Sequence, residues 1–292
     1  MSTKRTTSLG GKPINRMGFG AMQLAGPGVF GPPRDPDAAR AVLRRAVELG
    51  VDHVDTSQYY GPDVVNDLIR SALYPYPAGL RLATKVGWRR DSAGGVLPAQ
   101  TPGELRDGVE ANLRSLSVER LDLVNLRLPG PGDGPAATLE EQLAELDDLR
   151  REGKLDLIGL SNVDQPTAER AVELVDVAEI QNAYSIIDRQ DDQLLTFAAE
   201  HKIAFVPFGP LGSAYRRGPA SLAADGIIAE VASRHHATPT QIALAWLLAR
   251  YDRMLLIPGT SSVAHLDENM AATELELDDA DLALLARVDQ RA

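Results

Sequence analysis

A single (β/α)8 barrel, an α/β fold of the TIM type, is the class this sequence predicts. Three observations carry the prediction. Short apolar runs alternate with longer amphipathic segments eight times, the rhythm of parallel strands joined by helices. The eight units fill roughly 250 residues, the size of such a barrel. Polar and charged residues break the apolar pattern at the ends of successive strands, and a barrel brings those ends to one mouth. With 44% hydrophobic residues and no compositional break in 292, the chain reads as one domain over 1–292.

Ahead of the first unit, Ser8–Ile14 holds Gly10-Gly11 between two short extended stretches. A two-residue hairpin loop of type I′ needs positive φ at both positions, which glycine supplies. This N-terminal hairpin is expected to plug the barrel floor. The first strand is expected at Arg16–Phe19. It leads to Pro36–Leu49, where Ala39, Val42, Leu43, Ala46 and Val47 recur at helical spacing. Strand His53–Asp55 leads to helix Val64–Leu73, Arg81–Lys85 to Gly103–Leu116, and Leu121–Leu126 to Leu139–Arg151. Asp156–Leu160 leads to Gln165–Leu174, and Glu179–Gln181 to Gln190–Glu200. Ile203–Pro207 leads to Gly226–His235, and Met254–Ile257 to Ala264–Ala272. Two extra helices stand outside the count, Thr240–Ala249 and the C-terminal Asp278–Val288. Three Gly- and Pro-rich loops, Gln23–Asp35, Gly87–Thr101 and Pro129–Ala137, follow strands and are expected to wall a substrate pocket. A doubly wound sheet is the rival fold and would carry a G-x-G-x-x-G turn. Only Gly18-Phe19-Gly20 approaches it, and Gln23 stands where the third glycine belongs.

Composition narrows the function. No apolar run approaches the length that spans a membrane, and the polar N-terminus lacks the apolar core of a secretory signal. The absence of cysteine excludes disulfides, thiolate metal sites and a cysteine nucleophile. A cytoplasmic location is the expectation. A net charge of −11 repels phosphate backbones, so nucleic acid is not an expected partner. Nothing in the pattern decides an oligomeric state.

The strand ends carry the chemistry. Asp55 ends the second strand with Tyr60 in the loop beyond. Lys85 ends the third and Arg127 the fourth. Ser161 and Asn162 follow the fifth, Gln181 ends the sixth and Phe208 follows the seventh. A tyrosine ordinarily titrates near ~10, and a neighbouring ammonium favours its phenolate. Lys85 supplies that charge and Asp55 keeps it protonated, which makes Tyr60 a suitable general acid toward a carbonyl oxygen. The set holds no nucleophile with its base, so a hydride source is required. The five histidines form no metal-ligand spacing, and no metal is expected.

Val54-Asp55-Thr56-Ser57-Gln58-Tyr59-Tyr60-Gly61 resembles the aldo-keto reductase signature of Asp, Tyr five residues on, then Gly. Ala83-Thr84-Lys85-Val86-Gly87 is similar to that family's lysine strand, and Ile158-Gly159-Leu160-Ser161-Asn162 to its fifth-strand motif. Ile257-Pro258-Gly259-Thr260-Ser261-Ser262 with Glu268-Asn269 resembles its last βα unit. The resemblance implies Tyr60 as proton donor, tuned by Asp55 and Lys85. It implies that Ser161, Asn162 and Gln181 hold the nicotinamide carboxamide and that Phe208 stacks on the ring. Gly209, Pro210, Leu211, Gly212 and Ser213 would pass the pyrophosphate. Gly259, Thr260, Ser261, Ser262 and His265 would meet the adenosine 2′-phosphate, and Glu268 and Asn269 the adenine. Gly20 and Met22, at the end of the first strand, complete the expected cofactor contacts.

The sequence departs from the family pattern in one catalytic position. Where the family usually ends its fourth strand with histidine, this chain has Arg127, with Asn125 two residues before it. Arginine does not relay a proton, because it is always charged. It is expected instead as a fixed electrophile beside Tyr60. The 2′-phosphate stretch offers hydroxyls and His265 rather than lysine or arginine, so NADPH is expected with NADH as the alternative. The Asn-Leu-Arg ending and the long first loop are similar to the bacterial pyridoxal reductases. A small-molecule carbonyl, pyridoxal among them, is the expected substrate, against a wall of Tyr59, Trp88, Met22 and Phe30. Two other readings stay open. One is a nucleotide-binding regulatory subunit similar to the potassium-channel β subunits. The other is a Schiff-base barrel enzyme using Lys85.

Overall fold

The computed structural model describes residues 5–129, 137–212 and 218–288. Its strands are β1 (Thr6–Leu9), β2 (Lys12–Asn15), β3 (Phe19–Gly20), β4 (His53–Asp55), β5 (Arg81–Val86), β6 (Trp88–Arg90), β7 (Val96–Pro98), β8 (Leu121–Arg127), β9 (Leu155–Ser161), β10 (Val177–Ala183) and β11 (Ala204–Phe208). Its helices are α1 (Pro36–Glu48), α2 (Val64–Leu73), α3 (Pro102–Leu116), α4 (Leu139–Arg151), α5 (Gln165–Leu174), α6 (Asp192–Glu200), α7 (Gly218–Ala223), α8 (Gly226–Arg234), α9 (Pro239–Arg250), α10 (Val263–Ala271) and α11 (Asp279–Leu285).

Seven parallel strands run in the order β3, β4, β5, β8, β9, β10, β11. The eighth position is held by residues 254–256, which bridge Phe205 on one side and Met17 on the other. Gly18 donates its N–H to Leu256 (2.7 Å) and Leu256 donates to Arg16 (2.8 Å), which closes the ring. The expected strand Arg16–Phe19 therefore splits, with its first half joined to the eighth position and its second half forming β3. At the upper end of this seam there is no room for a side chain at position 20: a Cβ on Gly20 would lie 2.5 Å from the Ile257 carbonyl oxygen. Buried Arg16 straddles the seam and donates to the carbonyls of Leu248, Tyr251 and Met254.

Outside the sheet, α1 touches α2, α2 touches α3, and the series runs on to α6, while α10 returns to α1. Local sequence starts the helices: Asp35 caps α1 ahead of Pro36, and Thr101, Thr138 and Thr238 form capping boxes with Glu104, Glu141 and Gln241. Helix α9, expected as an addition, is buried on every face from Ile242 to Leu248 and lies within the fold, with α7, α8 and α10 against it. The β1–β2 hairpin turns on Gly10 and Gly11, both at positive φ. Its Leu9 and Ile14 are buried in one apolar cluster with Leu123 and Leu255, so the hairpin stoppers the barrel floor. The loop expected at Gly87–Thr101 contains a second hairpin, β6 with β7. The third expected loop lies largely outside the described residues. Among the described residues no helix is long and apolar enough to cross a membrane.

Candidate active site

Paired positions on neighbouring parallel strands point to the same face, so register sorts the inward side chains into rows. Asp55 pairs with Ala83, and Ala83 with Leu123. One step up, Lys85, Asn125, Gly159, Glu179 and Ala204 follow each other across five strands. Above them come Arg127, Ser161, Gln181 and Val206. The barrel thus carries a polar layer between its apolar floor and its mouth.

The Lys85 ammonium, 3% exposed, donates to Asp55 Oδ1 at 2.5 Å and to the Thr56 carbonyl at 3.1 Å. The second Asp55 oxygen accepts from Gln181 Nε2 at 2.9 Å. The ammonium also lies 5.3 Å from the centre of the Tyr60 ring, and Tyr59 meets Tyr60 edge-on at 5.1 Å. Burial pushes the Tyr59 phenol well above its ordinary range. Arg127 turns inward. Its Nη1 donates to Ser161 Oγ at 2.9 Å, and its guanidinium carbon stands 4.9 Å from the Phe208 ring centre.

These groups open on a cavity of about 690 Å³. Asp55, Tyr60, Lys85 and Arg127 all line it. So do Gly20, Met22, Gln181, Phe208, the turn Gly209, Pro210, Leu211 and Gly212, and Gly259, Thr260 and Ser261. Gly209 and Gly212 are at positive φ, and Gly212 N–H closes the turn on the Gly209 carbonyl. Six expected cofactor residues are not part of this wall. The Ser161 hydroxyl is engaged by Arg127, and Asn162, itself at positive φ, donates to the Leu128 carbonyl. Ser262 caps α10 by accepting from the His265 N–H. Glu268 accepts from Thr238, which ties α9 to α10, and Asn269 is buried beside it. Ser213 lies outside the described residues. Tyr59 and Trp88 belong to the wall as expected, but Phe30 does not: it is 38% exposed and stacks under Arg90 instead.

Two residues with roles here escaped the sequence reading. Arg90 of β6 lines the cavity and donates to the carbonyls of Gly28, Val29, Tyr59 and Gly94, so it fastens the first loop to the β6–β7 hairpin. Its partners are backbone groups, which leave no side-chain signal. Glu179 lies in the polar layer and accepts from Asn125 Nδ2 at 2.8 Å. It was legible only as a strand residue, and register alone turns it inward. Among the described residues no group of three or more His, Asp or Glu converges to hold a metal.

The model described as the aldo/keto reductase family matches residues 16–290. Pyridoxine 4-dehydrogenase of Escherichia coli (strain K12) is 48% identical over 97% of this chain and 98% of its own. An uncharacterized oxidoreductase of Schizosaccharomyces pombe is 36% identical over 93% of this chain and 86% of its own. The crystal structure of the thermostable aldo-keto reductase Tm1743 with the inhibitor epalrestat is similar at a TM-score of 0.81 and 28% identity, covering 96% of this chain and 98% of that one. An aldo/keto reductase from Klebsiella pneumoniae in complex with NADP and acetate is similar in fold, with a TM-score of 0.81 at 23% identity over 99% of this chain and 96% of that one.

Proposed function

The chain belongs to the aldo/keto reductase family, and on that premise we propose that it reduces an aldehyde or ketone with NADPH, Tyr60 giving the proton. It is an NAD(P)H-dependent oxidoreductase. The observation that carries the proposal is the buried Asp55–Lys85 pair directly beneath the Tyr60 ring, at the wall of a cavity large enough for a cofactor end and a small substrate. Lys85 stabilises the phenolate and so strengthens Tyr60 as an acid, while Asp55 offsets the cost of burying the ammonium.

The residues present fit a nicotinamide dinucleotide. Gln181 offers a buried carbonyl oxygen without a partner at the cavity wall, which suits the N–H of a carboxamide. The Gly209–Gly212 turn and the Gly259–Ser262 stretch leading into α10 offer backbone N–H groups, which suit phosphates. Bound there, NADPH supplies the hydride. Tyr60 delivers its proton to the carbonyl oxygen as charge gathers on it, and Arg127 donates hydrogen bonds to the same oxygen or to an anionic neighbour.

Pyridoxal is the substrate we favour. The Escherichia coli relative is named for pyridoxine oxidation, the reverse reaction. Pyridoxal carries a phenolic oxygen beside its aldehyde, and Arg127 is a suitable partner for that oxygen. Tyr59, Trp88 and Met22 give the flat ring an apolar wall. The test follows NADPH consumption with pyridoxal and with a simple aliphatic aldehyde. We expect kcat/KM for pyridoxal to be higher by about tenfold or more. Turnover of the aliphatic aldehyde alone removes pyridoxal. Turnover of neither returns the chain to the regulatory-subunit reading. The same assay with NADH measures the cofactor preference.

A further inference from the structure

The polar layer contains a second carboxyl that the proposed chemistry does not use. Glu179 is 3% exposed and faces the barrel interior from β10. Its neighbours are few. From β8, Asn125 donates to it, and from its own strand the Gln181 amide also hydrogen-bonds it. From β9 and β11, the paired positions are Gly159 and Ala204, neither of which titrates. The charged groups that act on it are Asp55 from β4 and Lys85 from β5. Arg127 stands one row higher on β8.

The bridge between Asn125 and Glu179 crosses over Gly159. A Cβ there would lie 2.2 Å from Asn125 Oδ1 and 2.9 Å from Glu179 Cγ, so the glycine clears the space that the pair occupies. The layer is short of donors. Asn125 Oδ1 and Gln181 Oε1, the amide oxygens on either side of Glu179, are buried without partners. Asp55 has taken the ammonium and shares the Gln181 amide with Glu179. A proton on Glu179 is the donor that this layer lacks.

We infer that Glu179 is a positioning residue of this site, a buried carboxyl whose gain and loss of a proton changes the charge felt by Lys85 and, through it, by Tyr60. The inference rests on Tyr60 as the proton donor. Burial, reinforced by Asp55 and partly offset by the hydrogen bonds from Asn125 and Gln181 and by Lys85, pushes the Glu179 carboxyl up to about 7, within the working range of an enzyme. When Glu179 is protonated, the layer holds one carboxylate and one ammonium, and Lys85 acts fully on the phenolate. When it ionises, a second negative charge offsets Lys85, and Tyr60 becomes a weaker acid. The proton-transfer step of carbonyl reduction is therefore faster on the acid side of neutrality, with a step down of roughly fivefold as pH rises.

The test is the single-turnover rate of carbonyl reduction by the NADPH-loaded enzyme, measured from about pH 5.5 to about pH 9. The wild type should fall from a faster to a slower plateau with a midpoint near neutrality. Glu179→Gln, neutral throughout, should hold the faster rate without a step. A step of unchanged size and midpoint in that variant overturns the inference and leaves Tyr60 as donor untouched. Rapid reduction by Tyr60→Phe overturns the Tyr60 reading instead. Should Glu179→Gln fail to fold, Asn125→Ser removes the donor that favours the carboxylate. The midpoint should then rise by about one pH unit, and an unmoved midpoint overturns the inference.

Discussion

The floor of the barrel and the layer above it face the same interior and solve opposite problems. At the floor, Leu9 and Ile14 of the hairpin cluster with Leu123 and Leu255 without a polar side chain among them. Above them sit Lys85, Asn125 and Glu179, with Asp55 reaching Lys85 from the row of Leu123, all buried. The floor contributes stability by removing apolar surface from water, and it has no group that titrates. The layer costs stability, because buried charge is unfavourable unless matched. Asp55 is matched directly by Lys85, whereas Glu179 is hydrogen-bonded by neutral amides, those of Asn125 and Gln181. One region holds the fold together and the other holds a poised set of charges, and the stopper below keeps that set out of water.

The comparison can be broken at either end. Tyr60→Phe removes the proton donor from the upper region and should lower the single-turnover reduction rate by about 10³-fold with an unchanged melting temperature. Glu179 should reveal the cost of the layer. Its carboxyl is raised in the fold relative to its ordinary value, so its contribution is present at acid pH and is lost as pH climbs through about 7. Between about pH 4 and pH 8, urea midpoints should show wild type losing about 3 kcal/mol relative to Glu179→Gln. Arg127→Leu should lower kcat by about 10²-fold if the guanidinium stabilises the developing oxyanion, and a wild-type kcat would remove that role. Ile14→Ala, in the floor, should cost about 2 kcal/mol in urea unfolding while leaving kcat unchanged. A change in kcat there would mean that the floor also shapes the site.

Much of this arrangement is legible in the sequence, because it depends on periodicity and on order. The eight units follow from apolar spacing, and the hairpin follows from Gly10-Gly11. The gathering of Asp55, Tyr60, Lys85 and Arg127 follows from strand ends that a barrel must bring together. What stayed hidden depends on register or on backbone partners. Glu179 looks like any polar residue in an alternating strand until pairing with Gly159 turns it inward. Residues Trp88–Arg90 and Val96–Pro98 are too short to announce a hairpin, and the first of them carries two arginines. The eighth position makes only isolated bridges, since the chain meets its neighbours there for a few residues. Ser161, Asn162 and Glu268 carry the family's motifs, yet their side chains are already engaged within the protein.

Arg16 sets a condition on how the ring is completed during synthesis. Its acceptors lie 232 to 238 positions further along the chain. A nascent chain that has emerged only through β11 has a first strand without its neighbour and a guanidinium without its carbonyls. The early units can curl and associate as they leave the ribosome, but the cylinder is sealed only after Leu248, Tyr251 and Met254 have arrived. The oldest and youngest parts of the chain thus finish the enzyme in one act, and a truncation within the last strand exposes the interior that the N-terminal stopper was positioned to protect.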